Sequence, residues 1–232
     1  MAFLVAVMLL CGAAHARTLV AYYSFTNNCA TIANELKGLI PADVVVVEPA
    51  EKGLDYAADN YAIGSAQIAA INNAPYDAAS YPAIDAADAD LSACDCVIII
   101  VPLWWNHMAA PMQSFLFNNA DAMAGKRVGL VVSSASSGIG TVEADARRLM
   151  PQCEFFPESL WIRSSQTSRA ASMLSEWLKD IDYDAIAAAD LVFAPESNDG
   201  MSTAAYDIYG RRIPASACSN GVFVVNGKKY LK

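Results

Sequence analysis

The chain has 232 residues, enough for one α/β core with additional segments, and it carries 24 Asp and Glu against 15 Lys and Arg. The net charge of −9 argues against binding to nucleic acid or anionic lipid, because both need clustered positive charge. A cationic protein would be a better partner for such a chain.

Residues 1–16 have the pattern of an export signal. The apolar run Ala2–Leu10 is followed by Ala14-His15-Ala16, an Ala-x-Ala cleavage site. The run is too short to span a bilayer, which needs about 20 apolar residues. We therefore expect an exported protein that begins at Arg17, is periplasmic, cell-surface or secreted, and is not inserted in the membrane. The alternative interpretations are a buried first strand and a membrane anchor.

One of the six cysteines, Cys11, lies in the predicted signal, and the other five are scattered along the chain. The pair in Cys94-Asp95-Cys96 has only one intervening residue, so neither a disulfide framework nor a metal knuckle is predicted. With His107 as the one histidine beyond the signal, a structural metal site is not expected. We expect His107 to be a solvated loop residue without an acidic partner.

The first predicted strand, Thr18–Tyr23, leads through the polar loop Ser24–Cys29 into a helix at Ala30–Leu39. This geometry aims free backbone N–H groups and the positive end of a helix dipole at an anion. The loop has no Lys or Arg, so it would hold the anion by hydrogen bonds. A helix N-cap without a ligand explains the same Ser, Thr and Asn residues equally well.

A second strand is predicted at Asp43–Glu48, followed by a long excursion from Pro49 to about Pro82 with a helical pattern near Gly64–Ile71. A connection of this length usually folds over something. The tyrosines of the excursion could shield a ligand, but packing is the favoured interpretation; they are Tyr56, Tyr61, Tyr76 and Tyr81. Ile84–Ala93 is predicted as a short crossover.

The central run contains two apolar strands, Val97–Val101 and Val128–Val132, with a helix from Pro111 to Asn118 between them. Such strands are typical of a parallel sheet covered on both faces, and ligands bind outside the carboxyl ends of such strands. The segments at those ends are Pro102–Asn106 and Ser133–Gly140.

A helix at Thr141–Met150, a fifth strand at Ser159–Arg163 and a helix at Ser168–Ile181 complete a single predicted domain, residues 17–181. Residues 182–202 are predicted as a linker. In the tail, residues 203–232, a β-hairpin is predicted with strands Val222–Val225 and Lys228–Leu231 around Asn226-Gly227.

Three motifs resemble those of the flavodoxin family over about Thr18–Ile181. Ser24-Phe25-Thr26-Asn27-Asn28-Cys29 resembles the family's phosphate loop, Ser/Thr-x-Thr-Gly-Asn-Thr, and Pro102-Leu103-Trp104-Trp105 resembles its first ring-binding loop. Ser133–Gly140 lies where the second ring-binding loop falls. The resemblance implies an α/β, doubly wound, five-stranded parallel sheet in the order 2-1-3-4-5, with helices on both faces.

The resemblance also implies FMN as cofactor, with its phosphate on residues 24–29, its isoalloxazine ring against Trp104 and the backbone of Ser133–Gly138 around the ring edge. It assigns no catalytic residue and no metal ligand. The implied cofactor-binding residues are Ser24, Phe25, Thr26, Asn27, Asn28, Cys29, Pro102, Leu103, Trp104, Trp105, Asn106, Ser133, Ser134, Ala135, Ser136, Ser137 and Gly138.

The chain departs from the family pattern at three points. Asn27 replaces a glycine, although Asn tolerates a positive φ well. Cys29 replaces a hydroxyl that would reach the phosphate. The second ring-binding loop has no aromatic residue, so the flavin would be stacked on one face or covered by the excursion. We expect Trp105 to pack inward.

The tail is similar to the end of the secretion-sorting domains of exported Bacteroidetes proteins over about 30 residues, and it could either sort the protein or simply add a hairpin.

The first functional hypothesis is an exported FMN-binding protein that transfers electrons to or from an unidentified redox partner. The second is a flavin-dependent NAD(P)H:quinone-type reductase, and the third a binding or surface module without flavin.

Overall fold

The computed structural model describes residues 17–85 and 90–185, together with four strands between residues 205 and 231. The predicted signal at 1–16, part of the crossover Ile84–Ala93, most of the predicted linker and the turn of the predicted hairpin lie outside the described residues. The chain divides into two units, Met1–Val192 and Phe193–Lys232.

A parallel sheet forms the centre of the first unit. Its strands run in the order β2-β1-β3-β5, and β5 carries two short strands, β6 and β7, on its other edge. The predicted order is therefore confirmed, with the fifth strand in two pieces, while the short strand β4, antiparallel to the end of β3, was not predicted. The strands are β1 (Thr18–Tyr22), β2 (Ala42–Val46), β3 (Cys96–Trp104), β4 (His107–Met108), β5 (Arg127–Ser134), β6 (Glu154–Phe155) and β7 (Leu160–Arg163).

Each predicted helix is present, although α2 (Ala58–Asn73) begins six residues before Gly64 and α3 (Ala110–Met123) ends five residues after Asn118. In the longest of them, Asp59, Asn60 and Tyr61 have positive φ, so the regular helix begins after Tyr61. Short 3-10 turns occur at Ala78–Ser80, Leu91–Ala93 and Ser164–Arg169. The helices are α1 (Asn28–Leu39), α2 (Ala58–Asn73), α3 (Ala110–Met123), α4 (Gly140–Leu149) and α5 (Ala170–Asp180).

Both faces of the sheet are buried, which explains why its strands lack apolar/polar alternation. Successive residues of β3 enter opposite cores because side chains alternate along a strand. One core contains Val97, Ile99 and Val101 together with residues of α2, α3 and α4 such as Ile68, Phe115 and Val142. The other contains Cys96, Ile98 and Ile100 together with residues of α1 and α5 such as Ile32 and Leu174. This is the predicted doubly wound arrangement.

The second of these cores extends to Tyr183, two residues beyond the predicted end of the domain at Ile181. The Tyr183 hydroxyl lies 2.7 Å from Oγ1 of Thr18, at the start of β1. Burial raises the pKa of Tyr183. The packed core therefore extends from the first strand to residue 183, and the two ends are in contact.

The described residues of the second unit form four antiparallel strands in the order β11-β10-β8-β9. They are β8 (Ala205–Asp207), β9 (Arg212–Ile213), β10 (Val222–Val225) and β11 (Lys228–Leu231). Across the part of the chain that the structure describes, no helix combines the length and apolarity needed to cross a bilayer.

Candidate cofactor site

The three predicted loops meet at one pocket of about 130 Å³. The first loop follows β1, whereas Pro102–Trp104 and Ser133–Ser134 are the last residues of β3 and β5. These three strands are neighbours in the parallel sheet, so their carboxyl ends lie at the same edge. Eleven of the seventeen predicted residues line the pocket, and Ser164, which was not predicted, lines it as well. The predicted residues that do not line it are Asn27, Trp105, Asn106, Ser136, Ser137 and Gly138.

The first loop enters α1 through a residue in the left-handed conformation. Asn27 adopts a φ of 64° at the N-terminus of α1, in the left-handed region that Asn tolerates better than other non-glycine residues. The carbonyl of Asn27 accepts hydrogen bonds from the backbone N–H and Oγ1 of Thr31, at 2.9 and 3.0 Å. Asn28 donates from Nδ2 to Oγ1 of Thr26 at 3.2 Å. Asn27 thus fills the position of the expected glycine without disrupting the helix start.

Ser24 carries an unpartnered polar atom at this pocket. Its Oγ is buried and has no hydrogen-bond partner among the described residues. A buried hydroxyl without a partner is costly, by about 1–3 kcal/mol, unless a ligand supplies the missing bond. Because Ser24 lines the pocket beside Thr26 and Asn28, the local chemistry fits an anionic ligand held by neutral donors.

The thiol of Cys29 faces the protein core. The residue is 1% exposed and packs in the apolar core that contains Ile32 and Leu36. Burial raises the pKa of Cys29, so the thiol stays protonated at neutral pH. A thiol is also a weak hydrogen-bond donor. Cys29 is therefore a much poorer hydrogen-bond donor to a ligand than a serine or threonine at this position would be.

Trp104 lies at the centre of an aromatic cluster. Tyr56 is tilted against it with ring centroids 5.0 Å apart, and Tyr23 packs edge-on at 5.4 Å. Phe25 is also edge-on, at 6.2 Å. Tyr56 belongs to the long excursion after β2 and is only 5% exposed. It therefore packs against the protein, as the favoured interpretation of the excursion's tyrosines predicts. A second pocket, of about 100 Å³, shares Trp104 and Phe25 with the first.

The prediction that Trp105 packs inward is wrong, because its side chain is 45% exposed. Trp105 and Asn106 form the two-residue turn between β3 and β4, with φ values of 47° and 65°. Positive φ at both positions is what a tight hairpin of type I′ requires, but it is unusual for a residue as bulky as Trp. The turn directs the Trp105 ring away from the core and onto Gly64 of α2.

The prediction that His107 is a solvated residue without an acidic partner is also wrong. Its side chain is 24% exposed, and Nδ1 lies 3.0 Å from Oδ2 of Asp145 on α4. Asp145 is only 5% exposed. Asn72 of α2 contacts the other ring nitrogen, Nε2, at 3.0 Å. The sequence offered no signal for this pair, because its partners are 38 residues apart.

The second loop contributes Ser133, Ser134 and Ala135 to the pocket. Oγ of Ser134 accepts a hydrogen bond from Nε1 of Trp161 and donates one to the carbonyl of Ser137, both at 2.8 Å. These bonds fix the loop against β7. The Ser134 hydroxyl is therefore occupied, whereas the backbone groups of the loop and the hydroxyl of Ser133, which also lines the pocket, can contact a ligand.

Ser164 reaches the pocket because β7 pairs in parallel with β5 and ends at the same edge of the sheet. The rule that placed the other loops could have identified Ser164, since this residue directly follows the predicted fifth strand.

A larger cavity of about 390 Å³ lies between the ends of β1 and β2 and is lined by Glu48, Glu51 and Lys52 among others. Phe25 borders all three cavities.

Many solved structures resemble the chain, and three of them illustrate the shared fold. A protein from Bacteroides eggerthii, thought to be a flavoprotein, is 23% identical with a TM-score of 0.58, covering 72% of this chain and 98% of its own. A similar protein from Bacteroides uniformis is 22% identical with a TM-score of 0.55, covering 71% and 99%. A flavoprotein from Lactobacillus acidophilus, solved in complex with FMN, is 18% identical with a TM-score of 0.53, covering 68% and 99%.

No curated protein matches the chain. The family model described as Flavodoxin matches residues 17–181. Since this match spans most of the chain and contains all three pocket loops, the protein belongs to the flavodoxin family.

Proposed function

We propose that the chain is an exported FMN-binding protein that transfers electrons between redox partners. The observation that carries the proposal is the meeting of three loops at one pocket, where the buried Ser24 hydroxyl has no partner among the described residues. Membership of the flavodoxin family supports the predicted cofactor, FMN, and a structural neighbour was solved in complex with it.

Different residues of the pocket would contact different parts of the cofactor. Ser24, Thr26 and the N–H groups at the start of α1 would hold the phosphate, because these donors lie at the positive end of the helix dipole. Trp104 would pack on the ring, and the backbone of Ser133 and Ser134 would contact the ring edge. When bound, FMN supplies the storage and release of electrons. The chain binds, orients and shields it.

The charge of the chain supports a protein as redox partner. A net charge of −9 raises the association rate with a cationic partner through electrostatic steering. Steering weakens as salt is added, since the Debye length falls to about 3 Å at 1 M ionic strength. We therefore expect electron transfer to a cationic acceptor protein to slow markedly with salt.

The test is a visible spectrum of the purified protein and a fluorescence titration of FMN. We expect FMN absorption bands and quenched emission, because an indole stacked on the flavin quenches it. A colourless protein that leaves FMN emission unchanged at high micromolar concentration would contradict both redox hypotheses and would leave a flavin-free binding module.

A reductase of quinones is the second candidate, favoured by the aromatic pocket of about 100 Å³ beside Trp104. Its lining includes Tyr61 and Trp105, which are 48% and 45% exposed, and Gly64, which leaves room between the rings. A planar acceptor ring would fit such a surface. Steady-state oxidation of NADPH with a soluble quinone as acceptor separates the candidates, since an electron-transfer protein alone shows none.

Export is supported by the position of the fold relative to the predicted cleavage site. The first strand begins at Thr18, and the side chain of Arg17 is paired with Asp43 at 2.6 Å, so cleavage after Ala16 leaves the sheet complete. Expression in a bacterial host followed by cell fractionation and N-terminal sequencing tests the proposal. We expect a periplasmic, surface or secreted product that begins at Arg17; an uncleaved cytoplasmic product would contradict it.

A further inference from the structure

The segment that follows β7 contributes to the same pocket as the first loop. Ser164, the first residue of this segment (Ser164–Arg169), lines the pocket together with Thr26 and Asn28. Ser164 is exposed, so its hydroxyl is accessible to a ligand. The fifth strand of the sheet thus adds a hydroxyl-bearing residue to the pocket that the first loop also lines.

A side-chain hydrogen bond joins the two segments. Oγ1 of Thr167 lies 3.3 Å from Oδ1 of Asn28 and 3.0 Å from the carbonyl of Ser164, and can donate to either. Asn28 in turn donates to Thr26. These contacts place the segment that begins at Ser164 directly beside the first loop.

The first loop lacks a charged donor and offers only two side-chain hydroxyls beside its backbone N–H groups. It has no Lys or Arg, and the Cys29 thiol is buried in the core. Its hydroxyl donors are Ser24 and Thr26. A phosphate dianion accepts several hydrogen bonds, so a further hydroxyl at the pocket would supply a bond that Cys29 does not.

We propose that Ser164 binds the phosphate group of FMN and so makes the site selective for FMN over riboflavin. This inference rests on the proposed function, because it concerns the same pocket. The Ser164 hydroxyl takes the role of the donor that is weak at Cys29. A residue of the fifth strand's loop thus completes a site formed mainly by the first, third and fourth strands.

The test compares FMN and riboflavin, which differ only in the phosphate, by fluorescence titration of the full protein. For Ser164→Ala we expect FMN affinity to fall about tenfold and riboflavin affinity to change less than twofold, because a hydrogen bond to a charged group is lost. Ser165→Ala, next to it and outside the pocket lining, should leave both affinities unchanged. Ser164→Thr, which keeps the hydroxyl, should retain most of the FMN affinity.

Two results would overturn the inference alone: unchanged FMN affinity in Ser164→Ala, or an equal loss for FMN and riboflavin, which would place Ser164 near the ring or in a structural role. Circular dichroism melting of each variant establishes that it is folded. A native protein that binds neither flavin would overturn the proposed function together with this inference.

Discussion

His107 and Asp145 form a partly buried pair that joins the hairpin of β3 and β4, which carries Trp104 and Trp105, to α4. Because a carboxylate only accepts hydrogen bonds, Nδ1–H of His107 donates to Oδ2 of Asp145, at 3.0 Å, and Nε2 is left to accept from Nδ2 of Asn72. The backbone N–H of Met108 donates to the same oxygen of Asp145, also at 3.0 Å. The hairpin is thus tied to α4 on one side and to α2 on the other.

We expect Asp145→Asn to lower the free energy of unfolding by about 2–3 kcal/mol, because it weakens two hydrogen bonds to a buried carboxylate. The looser hairpin should also quench FMN less. Urea unfolding and FMN titration measure the two effects. Glu143→Gln on the same helix is the matched control and should change stability by less than about 0.5 kcal/mol. A stable Asp145→Asn protein would show that the pair does not hold the hairpin.

The two adjacent tryptophans should have separable roles. Trp104 lines the cofactor pocket and Trp105 does not. We expect Trp104→Ala to restore FMN emission and to weaken binding by at least tenfold, since stacking contributes about 1–3 kcal/mol per ring in comparable sites. Trp105→Ala should keep the affinity for FMN within about threefold. Equal losses in both variants would contradict the pocket assignment.

A methyl group at Gly64 should displace the tryptophan rings. An added Cβ would lie 2.9 Å from Cζ3 of Trp105 and 3.3 Å from Cε3 of Trp104. Gly→Ala within a helix normally stabilises by up to about 1 kcal/mol, but overpacking costs about 1–3 kcal/mol, so we expect Gly64→Ala to be destabilising overall. Gly38→Ala on α1 is the control, because nothing lies within 4 Å of its added Cβ. Thermal melting of both variants checks this prediction.

Stability should fall at alkaline pH. Burial raises the pKa of Cys96 to about 12 from an ordinary value of 9.0, and it also raises the pKa of Cys29 and Tyr23. Above pH 9 the unfolded chain releases the Cys96 proton while the folded chain keeps it, so each pH unit toward 12 lowers the free energy of unfolding by about 1.4 kcal/mol per such group.

Cys96→Ala tests the contribution of that thiol. It should be less stable than the native protein at pH 7 because it leaves a cavity, but the difference should narrow as the pH rises from 9. Urea unfolding at pH 7, 9 and 10 provides the comparison. Parallel stability curves for the two proteins would show that Cys96 does not titrate differently in the folded state.

The strands and loops could be predicted because they depend on local composition and on one general rule. Val97–Val101 and Val128–Val132 are apolar throughout, as strands buried on both faces must be. The rule that ligands bind at the carboxyl ends of parallel strands then located the pocket without any coordinates. Applied to the fifth strand, the same rule would have added Ser164.

The remaining features depend on tertiary contacts. The strand β4 has two residues and forms only because Trp104 and His107 face each other across a tight turn. The exposure of Trp105 follows from its positive φ, which no sequence pattern for a bulky aromatic residue indicates. Asp145 lies on a helix whose polarity pattern does not distinguish a buried carboxylate from an exposed one.

The hydrogen-bonding contact between Thr18 and Tyr183 has a consequence for the order of events in the cell. The first strand of the unit meets its last described segment, so this part of the core cannot close until residue 183 has left the ribosome. At about 5–20 residues per second, the synthesis of the chain from residue 18 to residue 183 takes roughly 8–33 seconds. During that interval an amino-terminal signal such as the one predicted at residues 1–16 could direct a still-unfolded chain to a secretion channel, and folding would finish on the far side.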